Sequence, residues 1–280
     1  MLNWNPFIDN SKCRLIDQSK PTAADNALAS FAIDDALAIS VGNNQSPPTI
    51  RLWVHNPSVI LGIPDARLPY VHEAIDWIKQ QGYKVIVRNS GGLAVLLDSG
   101  VLNMSLILPD VKRIGIRDGY EMLVSFIQAI LSDLTTEIEA YEITGSYCPG
   151  DYDLSINGKK FAGISQRRVK NGIAVQIYLC VEGDGVVRAK QIREFYHLGL
   201  KDEKGRFVYP TIEPETMASL NQLISVKLTV EDVIERIEKG LKQQFGIIET
   251  NQLGDQEQQW YQERLKQMEE RNTKALVDDK

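Results

Sequence analysis

The chain has 280 residues, of which 43% are hydrophobic and 24% charged, a composition that supports one large globular domain or two small ones. Its formal net charge is −6, from 31 basic and 37 acidic residues, which argues against nucleic-acid binding because phosphate neutralisation needs clustered excess Lys and Arg. No apolar run reaches the ~18 residues that span a bilayer, and the N-terminus lacks the order of a signal peptide. We therefore expect a cytoplasmic protein with no membrane association.

In the first half of the chain, a helix is followed by short strands and a second helix. Residues 24–41 carry apolar side chains at helical spacing, with Thr22 as the candidate N-cap. The second helix is predicted at 70–81, and the strands at 50–54, 59–61, 83–87 and 102–108. Gly91 and Gly92 lie between the last two strands. Neither GxGxxG nor GxxxxGK[ST] occurs there, so the residues alone favour a hairpin turn over a phosphate loop.

The second half begins with a long amphipathic helix at 115–134 and continues with strands at 153–157, 160–165 and 173–181. Residues 184–214 show a mixed pattern, and a helix returns at 230–245. Because strands and helices do not alternate strictly, we expect an α+β fold with a mixed sheet flanked by helices. A catalytic domain is predicted over 1–250, with 183–250 as a candidate small subdomain. Residues 251–280 are expected to form a polar, loosely attached helix with a frayed tail.

Cysteine and histidine usage limits the chemistry. The chain has three cysteines with no close spacing, which predicts neither a disulfide framework nor a CxxC metal site. Its three histidines do not include a pair spaced four residues apart, as a zinc-protease helix would require. We expect reduced thiols and no bound metal.

Cys148 lies in the most informative loop of the chain. Tyr147 and Pro149 flank it, with glycines beyond, and this turn composition displays a thiol rather than packing it in an element. Lys160 follows twelve residues later, and a nearby ammonium favours the reactive thiolate. The alternative is a buried cysteine that serves as a small apolar filler. The residues alone leave both interpretations open.

Positive charge is concentrated after this loop. The cluster is either a solvated face, which is the favoured interpretation, or a docking patch for an acidic partner. Its members are Lys159, Lys160, Arg167, Arg168 and Lys170.

Two motifs, Arg88-Asn-Ser-Gly-Gly-Leu-Ala-Val95 and Gly158-Lys-Lys-Phe-Ala-Gly-Ile-Ser-Gln166, resemble the lipoate ligase and octanoyltransferase family. The resemblance runs from about residue 24 to about residue 181. It implies the fold of the biotin and lipoate protein ligase catalytic domain, which is related to class II aminoacyl-tRNA synthetases. It also implies that the glycine motif lines an acyl tunnel and that Lys160 lies in the active site. The substrate-binding residues so implied are Arg88, Ser90, Gly91, Gly92, Ala94, Asn103 and Gly163.

Departures from the motif of the adenylating ligases place the chain within this family. Leu93 stands where ligases usually have a third glycine, and Leu97 stands where they have a histidine. Ligases also lack a cysteine at the position of Cys148. The segment Tyr147-Cys-Pro-Gly-Asp-Tyr-Asp-Leu154 is most similar to transferases that take octanoyl from octanoylated glycine cleavage H protein.

The resemblance implies a transfer in two steps. The Cys148 thiolate would attack the octanoyl amide of the H protein, and a lysine of a dehydrogenase E2 lipoyl domain would then take the acyl group from the thioester. Lys160 would protonate the leaving amine and later accept a proton. No nucleotide, metal or organic cofactor is expected. The alternatives are octanoyl transfer from acyl carrier protein and a non-catalytic acyl-protein binding module.

Overall fold

Two β-sheets and the helices packed on them make up the fold in a computed structural model, which describes residues 11–22, 26–109, 112–201, 203 and 206–276. In chain order the strands are β1 (Lys12–Gln18), β2 (Thr49–Trp53), β3 (Ser58–Leu61), β4 (Lys84–Val87), β5 (Val95–Leu97), β6 (Val101–Leu108), β7 (Glu139–Ala140), β8 (Leu154–Ile156), β9 (Lys159–Val169), β10 (Gly172–Cys180) and β11 (Ile247–Thr250). The helices are α1 (Ala27–Gly42), α2 (Val71–Gln80), α3 (Ile116–Ile130), α4 (Gly185–Leu200), α5 (Leu220–Leu223), α6 (Val230–Gln244) and α7 (Asp255–Leu276).

The larger sheet has eight strands in the order β11-β1-β2-β6-β10-β9-β8-β7. Strand β1 is parallel to both of its neighbours, whereas the pairs from β2 to β7 are antiparallel. The smaller sheet has the order β4-β3-β5. A mixed sheet flanked by helices confirms the predicted α+β class. None of the helices in the described part of the chain combines the length and the hydropathy needed to cross a membrane.

Side chains of the larger sheet alternate between its two faces, because successive residues of a strand point in opposite directions. In β6, Leu102, Met104 and Leu106 pack with α3 and α6 in one core. Val101 lies on the opposite face, in a second core that includes α1, α2, α4 and the smaller sheet. The polar residues Asn103 and Ser105 of β6 alternate onto this second face, and the site described below is built there.

Helix α1 begins later than predicted. Asn26 is its N-cap, and the Asn26 side chain accepts a hydrogen bond from Leu28 N at 3.0 Å. The predicted cap Thr22 is therefore wrong, because Asn26 lies directly before the first helical residue and satisfies a free N–H there. The predicted start at residue 24 lies outside the described residues.

The C-terminal helix α7 is anchored by buried polar contacts. Arg14 donates two hydrogen bonds to Glu257, at 2.8 and 2.9 Å. Asn272 accepts from Val87 N at 2.7 Å and donates to Val87 O at 2.9 Å. The prediction of loose attachment is wrong, because these polar side chains find buried partners that apolar periodicity does not reveal. The predicted frayed tail over 277–280 lies outside the described residues.

Helix α4 was missed in the segment predicted as mixed. Asp184 caps it by accepting hydrogen bonds from the backbone N–H groups of Val186 and Val187. Its buried face includes the polar Arg188 beside Ile192 and Phe195, which obscures the helical pattern. Helix α4 joins the second core, α6 joins the first, and β11 pairs with β1. The expected subdomain 183–250 thus shares its cores with the rest of the chain, and the division between 1–250 and 251–280 stays a prediction.

Residues 88–94 form a crossing loop rather than a hairpin. Strands β4 and β5 do not pair with each other; β3 lies between them, parallel to β4 and antiparallel to β5. The predicted hairpin is therefore wrong. The loop passes over the end of β3 so closely that a Cβ atom on Gly62 would lie 2.0 Å from Gly92 O. Gly62 is required at this position because the backbone of the loop fills the space of a side chain.

Candidate active site

The floor of the candidate site is one row of residues across four strands. Trp53 of β2 is paired with Asn103 of β6, Asn103 with Tyr178 of β10, and Tyr178 with Gly163 of β9. All four line a cavity of about 240 Å³. Because residues paired across neighbouring strands project from the same face, sheet register alone brings them together from distant parts of the sequence.

The rest of the cavity wall includes residues of α1, α3, β5, the crossing loop and the cysteine loop. Phe31, Val95 and Leu97 contribute apolar surface, and Cys148 contributes its thiol. Leu97 stands where the adenylating ligases are expected to have a histidine, and it extends the apolar lining. An apolar cavity with a thiol in its wall suits an acyl chain attached to a reactive carbonyl.

The backbone of Cys148 is held in an unusual conformation, with φ of 47°. This left-handed region is costly for a residue with a Cβ atom and persists only where its surroundings impose it. The side chain is half-buried. Its Sγ accepts hydrogen bonds from Leu93 N at 3.1 Å and from Arg88 Nη2 at 3.4 Å. Each of these donors places a positive or partly positive hydrogen against the sulfur.

Arg88 also shapes the crossing loop, since its Nη2 donates to Leu93 O at 2.7 Å. Gly92 makes this contact possible: a Cβ atom there would lie 2.4 Å from Arg88 Nη2 and 2.8 Å from Cys148 Sγ. The cation that contacts the sulfur is therefore Arg88. Lys160 was predicted for this role because it follows Cys148 by twelve residues, and that prediction is wrong.

Lys160 is fully buried beneath the cysteine loop. Its Nζ donates to Cys148 O at 2.8 Å, to Tyr147 O at 3.0 Å and to Ser146 Oγ at 3.2 Å. It also forms an ion pair with Asp153 Oδ1 at 2.9 Å. Burial raises the pKa of the Asp153 carboxyl, and the Lys160 ammonium opposes that shift. The Lys160 ammonium thus holds the loop by its carbonyl groups, while the neighbouring Lys159 is exposed.

A second set of contacts fixes the far end of the crossing loop. Ala94 N donates to the Tyr196 hydroxyl at 3.3 Å, and that hydroxyl donates to Asp65 Oδ1 at 2.8 Å. Asp65 Oδ2 accepts from Gly62 N at 2.7 Å. Burial raises the pKa of Asp65 to about 6 and that of Tyr196 well above its usual range. The Asp65 carboxylate therefore anchors the segment that presents Leu93 N to the sulfur.

A buried polar network supports the floor from the side of α1. Asp34 forms an ion pair with Arg51 at 3.0 Å and accepts hydrogen bonds from Ser105 and Gln176, both at 2.6 Å. Arg51, Ser105 and Gln176 form the cross-strand row next to the floor. The network leaves no carboxylate oxygen of Asp34 without a donor, as burial of a charge requires.

The basic cluster does not form one surface patch. Lys160 is buried, Arg167 binds Asp35 of α1 at 3.2 Å, and Arg168 donates to Ile114 O at 2.7 Å. Lys159 and Lys170 lie at opposite ends of β9, which spans roughly 35 Å at ~3.3 Å per residue. Asn89 of the crossing loop also donates to Asp35, at 3.1 Å. Asp35 thus joins that loop to β9.

Most of the predicted substrate-binding residues line the cavity, namely Arg88, Gly91, Gly92, Asn103 and Gly163, together with Cys148. Ser90, Ala94 and Lys160 are buried outside the residues that line it. Their roles stay predictions. Four features of the site were not predicted from the sequence: Leu93 N, the Asp65–Tyr196 pair, Asp153 and Tyr178. Of these, only Asp153 had a signal, since it directly precedes β8 inside the cysteine motif.

Comparison with known proteins agrees with this geometry. Residues 26–242 match the family model of the lipoyl protein ligase A/B catalytic domain. The chain belongs to this family. It is 53% identical to the octanoyl-(GcvH):protein N-octanoyltransferase of Oceanobacillus iheyensis, over 97% of this chain and 99% of that protein. The Geobacillus kaustophilus protein of the same name is 50% identical, over 95% and 94% of the two chains.

Two further similarities bear on this lipoyl protein ligase A/B family member. The lipoyl-(GcvH):protein N-lipoyltransferase of Listeria monocytogenes is 43% identical, over 98% of this chain and 99% of that protein. The crystal structure of lipoate-protein ligase A bound with ATP superimposes with a TM-score of 0.71 at 19% identity, covering 95% of this chain and all of the other. At that identity the structural match establishes the fold alone.

Proposed function

We propose that this chain is an octanoyltransferase that moves octanoyl from octanoylated glycine cleavage H protein to the lipoyl-domain lysine of dehydrogenase E2 subunits. The observation that carries the proposal is the Cys148 thiol, held by Leu93 N and Arg88 in the wall of an apolar cavity. The two relatives at 53% and 50% identity, named as octanoyl-(GcvH) transferases, support the choice of donor. The cytoplasm is the proposed compartment.

In the first half-reaction the Cys148 thiolate attacks the carbonyl carbon of the octanoyl amide. A C–S bond forms, and the C=O electron pair moves to oxygen. When the pair returns, the C–N bond breaks and the H-protein lysine leaves as an amine that must gain a proton. Before attack, Arg88 and Leu93 N hold the negative charge on the sulfur, and Gly92 leaves room for both at once.

Lys160 is the proposed proton carrier. An alkylamine with a pKa near ~10.4 is a poor leaving group unless it is protonated as the bond breaks. The Lys160 ammonium contacts the carbonyl oxygen of Cys148, the residue whose sulfur carries the acyl group in this mechanism. After donating its proton, the neutral Lys160 amine accepts one from the attacking lysine of the acceptor. Asp153 keeps the ammonium in place between turnovers.

The reaction exchanges one amide for another through a thioester, so the chemistry needs no nucleotide. The test mixes the purified chain with octanoylated H protein and an apo lipoyl domain, without ATP, and follows the acceptor by intact-mass spectrometry. Octanoylation of the acceptor that disappears in Cys148→Ala supports the proposal. Transfer only from octanoyl acyl carrier protein would assign the other donor, transfer only of lipoyl groups would assign the other acyl group, and no transfer from any donor would favour a binding module.

A further inference from the structure

The Tyr178 hydroxyl is an unused hydrogen-bond donor in the cavity wall. Tyr178 is 7% exposed, and its hydroxyl has no hydrogen-bond partner among the residues that the structure describes. Buried hydroxyl groups are usually satisfied, because removing such a group from water without a partner is unfavourable. Because Tyr178 is one of the residues that line the cavity, its unsatisfied hydroxyl indicates a partner supplied by a bound ligand.

The ring of Tyr178 packs against β9, the strand that carries Lys160. Its ring lies over Gly163, where a Cβ atom would be 2.6 Å from Cε1 and 3.1 Å from the hydroxyl oxygen. Lys160 Nζ lies 5.9 Å from the ring centroid on β10. Burial, together with the Tyr147, Cys180, Asp153 and Cys148 groups, raises the pKa of Tyr178 well above its usual range. The hydroxyl therefore keeps its proton near neutral pH.

Two polar atoms of the crossing loop, Arg88 Nε and Ser90 Oγ, also lack a partner, but Ser90 does not line the cavity and the Nη2 atom of Arg88 already contacts the sulfur. The remaining donors beside Cys148 are engaged. Lys160 Nζ has acceptors in the cysteine loop and in Asp153. Arg88 Nη2 and Leu93 N are directed to the sulfur. Neither set is aimed at the oxygen of an acyl group attached to that sulfur, which is where negative charge develops during acyl transfer.

We propose that the Tyr178 hydroxyl donates a hydrogen bond to the acyl carbonyl oxygen and stabilises the oxyanion in both half-reactions. The proposal rests on the proposed acyl transfer. As the sulfur attacks, the C–S bond forms and the carbonyl electron pair becomes a third lone pair on oxygen, which accepts from Tyr178. The pair then returns, expelling the amine. When the acceptor amine attacks the thioester, the same oxygen is charged again and the sulfur leaves. Tyr178 transfers no proton in either step.

Tyr178→Phe is an unusually clean test, because removing a hydroxyl without a partner breaks no protein hydrogen bond. We expect the single-turnover rate of Cys148 octanoylation by octanoylated H protein to fall by about 100- to 1,000-fold, the effect typical of losing one oxyanion donor. The donor concentration for half-maximal rate should change little. Alkylation of Cys148 by iodoacetamide involves no acyl oxygen and should keep its wild-type rate, and the thermal midpoint should not fall. Tyr83→Phe removes a half-buried phenol hydroxyl outside the cavity and is the matched control.

Three outcomes would overturn the proposal in distinguishable ways. Wild-type octanoylation rates in Tyr178→Phe would show that Tyr178 does not stabilise the oxyanion, while the proposed acyltransferase activity would stand. A loss found in Tyr120→Phe but not in Tyr178→Phe would transfer the role to the other phenol of the cavity wall. If wild-type protein also forms no octanoyl adduct, the proposed function and the role of Tyr178 fail together.

Discussion

Arg88 Nη2 lies 3.4 Å from Cys148 Sγ, and this contact joins the crossing loop to the cysteine loop. The same nitrogen donates to Leu93 O, whose residue supplies the second donor to the sulfur. One guanidinium therefore contacts the sulfur directly and also holds the residue whose N–H makes the second contact to it. Lys160 acts on the same residue from the other side, through its carbonyl oxygen.

Replacing Arg88 by Met should lower the reactivity of the thiol without removing the side-chain volume. A hydrogen bond to a charged group contributes about 1.5–3 kcal/mol, so we expect about a 10- to 100-fold slower alkylation of Cys148 by iodoacetamide near neutral pH and a similar loss of transfer. Arg193→Met, an exposed position on α4, is the control. Equal alkylation rates in Arg88→Met and wild type would show that the guanidinium does not act on the sulfur.

The buried pair of Lys160 and Asp153 should behave as a unit. Lys160→Met leaves the Asp153 carboxyl buried without its partner, and breaking such a pair costs about 3–5 kcal/mol of unfolding free energy. Adding Asp153→Asn should recover part of this stability, because the remaining partner is then neutral, while transfer stays lost. A double-mutant cycle in urea unfolding measures the coupling. Additive effects would mean that the two side chains do not interact.

Asp65 should give stability a specific pH dependence. Its pKa is raised from 3.8 to about 6 in the folded chain. Between these two pH values, the Asp65 carboxyl is therefore mostly protonated in the folded state and mostly ionised in the unfolded state. The contribution of Asp65 is fully present below about pH 4 and is lost as the pH rises through about 6. At about 1.4 kcal/mol per pKa unit, the loss is about 3 kcal/mol. The difference in unfolding free energy between wild type and Asp65→Asn should fall by this amount between about pH 4 and pH 7. A difference independent of pH would contradict the raised pKa.

Gly163 is predicted to be intolerant of a methyl group. The Cβ atom of Gly163→Ala would lie 2.6 Å from Tyr178 Cε1, so the ring must move into the cavity, and such overpacking costs about 1–3 kcal/mol. We expect at least about a tenfold loss of transfer, measured as octanoylation of the lipoyl domain. Gly254→Ala is the control, because a Cβ atom there would meet only Glu257 Oε2, at 3.9 Å. Wild-type activity in Gly163→Ala would show that the position of Tyr178 is not critical.

The motifs in the sequence predicted most of the residues that line the cavity, including the candidate nucleophile Cys148. They did not predict the groups that contact its sulfur. Asn103, Gly163 and Cys148 belong to motifs, and alternation along regular strands carries Asn103 and Gly163 to one face. The contact between Arg88 and Cys148 depends instead on a loop that crosses β3, and strand periodicity does not distinguish a crossing loop from a hairpin. Tyr178 was hidden for a related reason. It lies in β10, which is buried along its whole length, so its hydroxyl gave no signal until the cavity beside it was seen.

The central claim, that Cys148 carries the acyl group, is tested most directly by intact-mass spectrometry of the chain after mixing with octanoylated H protein in the absence of ATP. We predict a mass increase of one octanoyl group, located on Cys148 by peptide mapping and lost when an apo lipoyl domain is added. Octanoylation of the lipoyl domain with no adduct on the chain at any time, and with Cys148→Ala still active, would contradict the account.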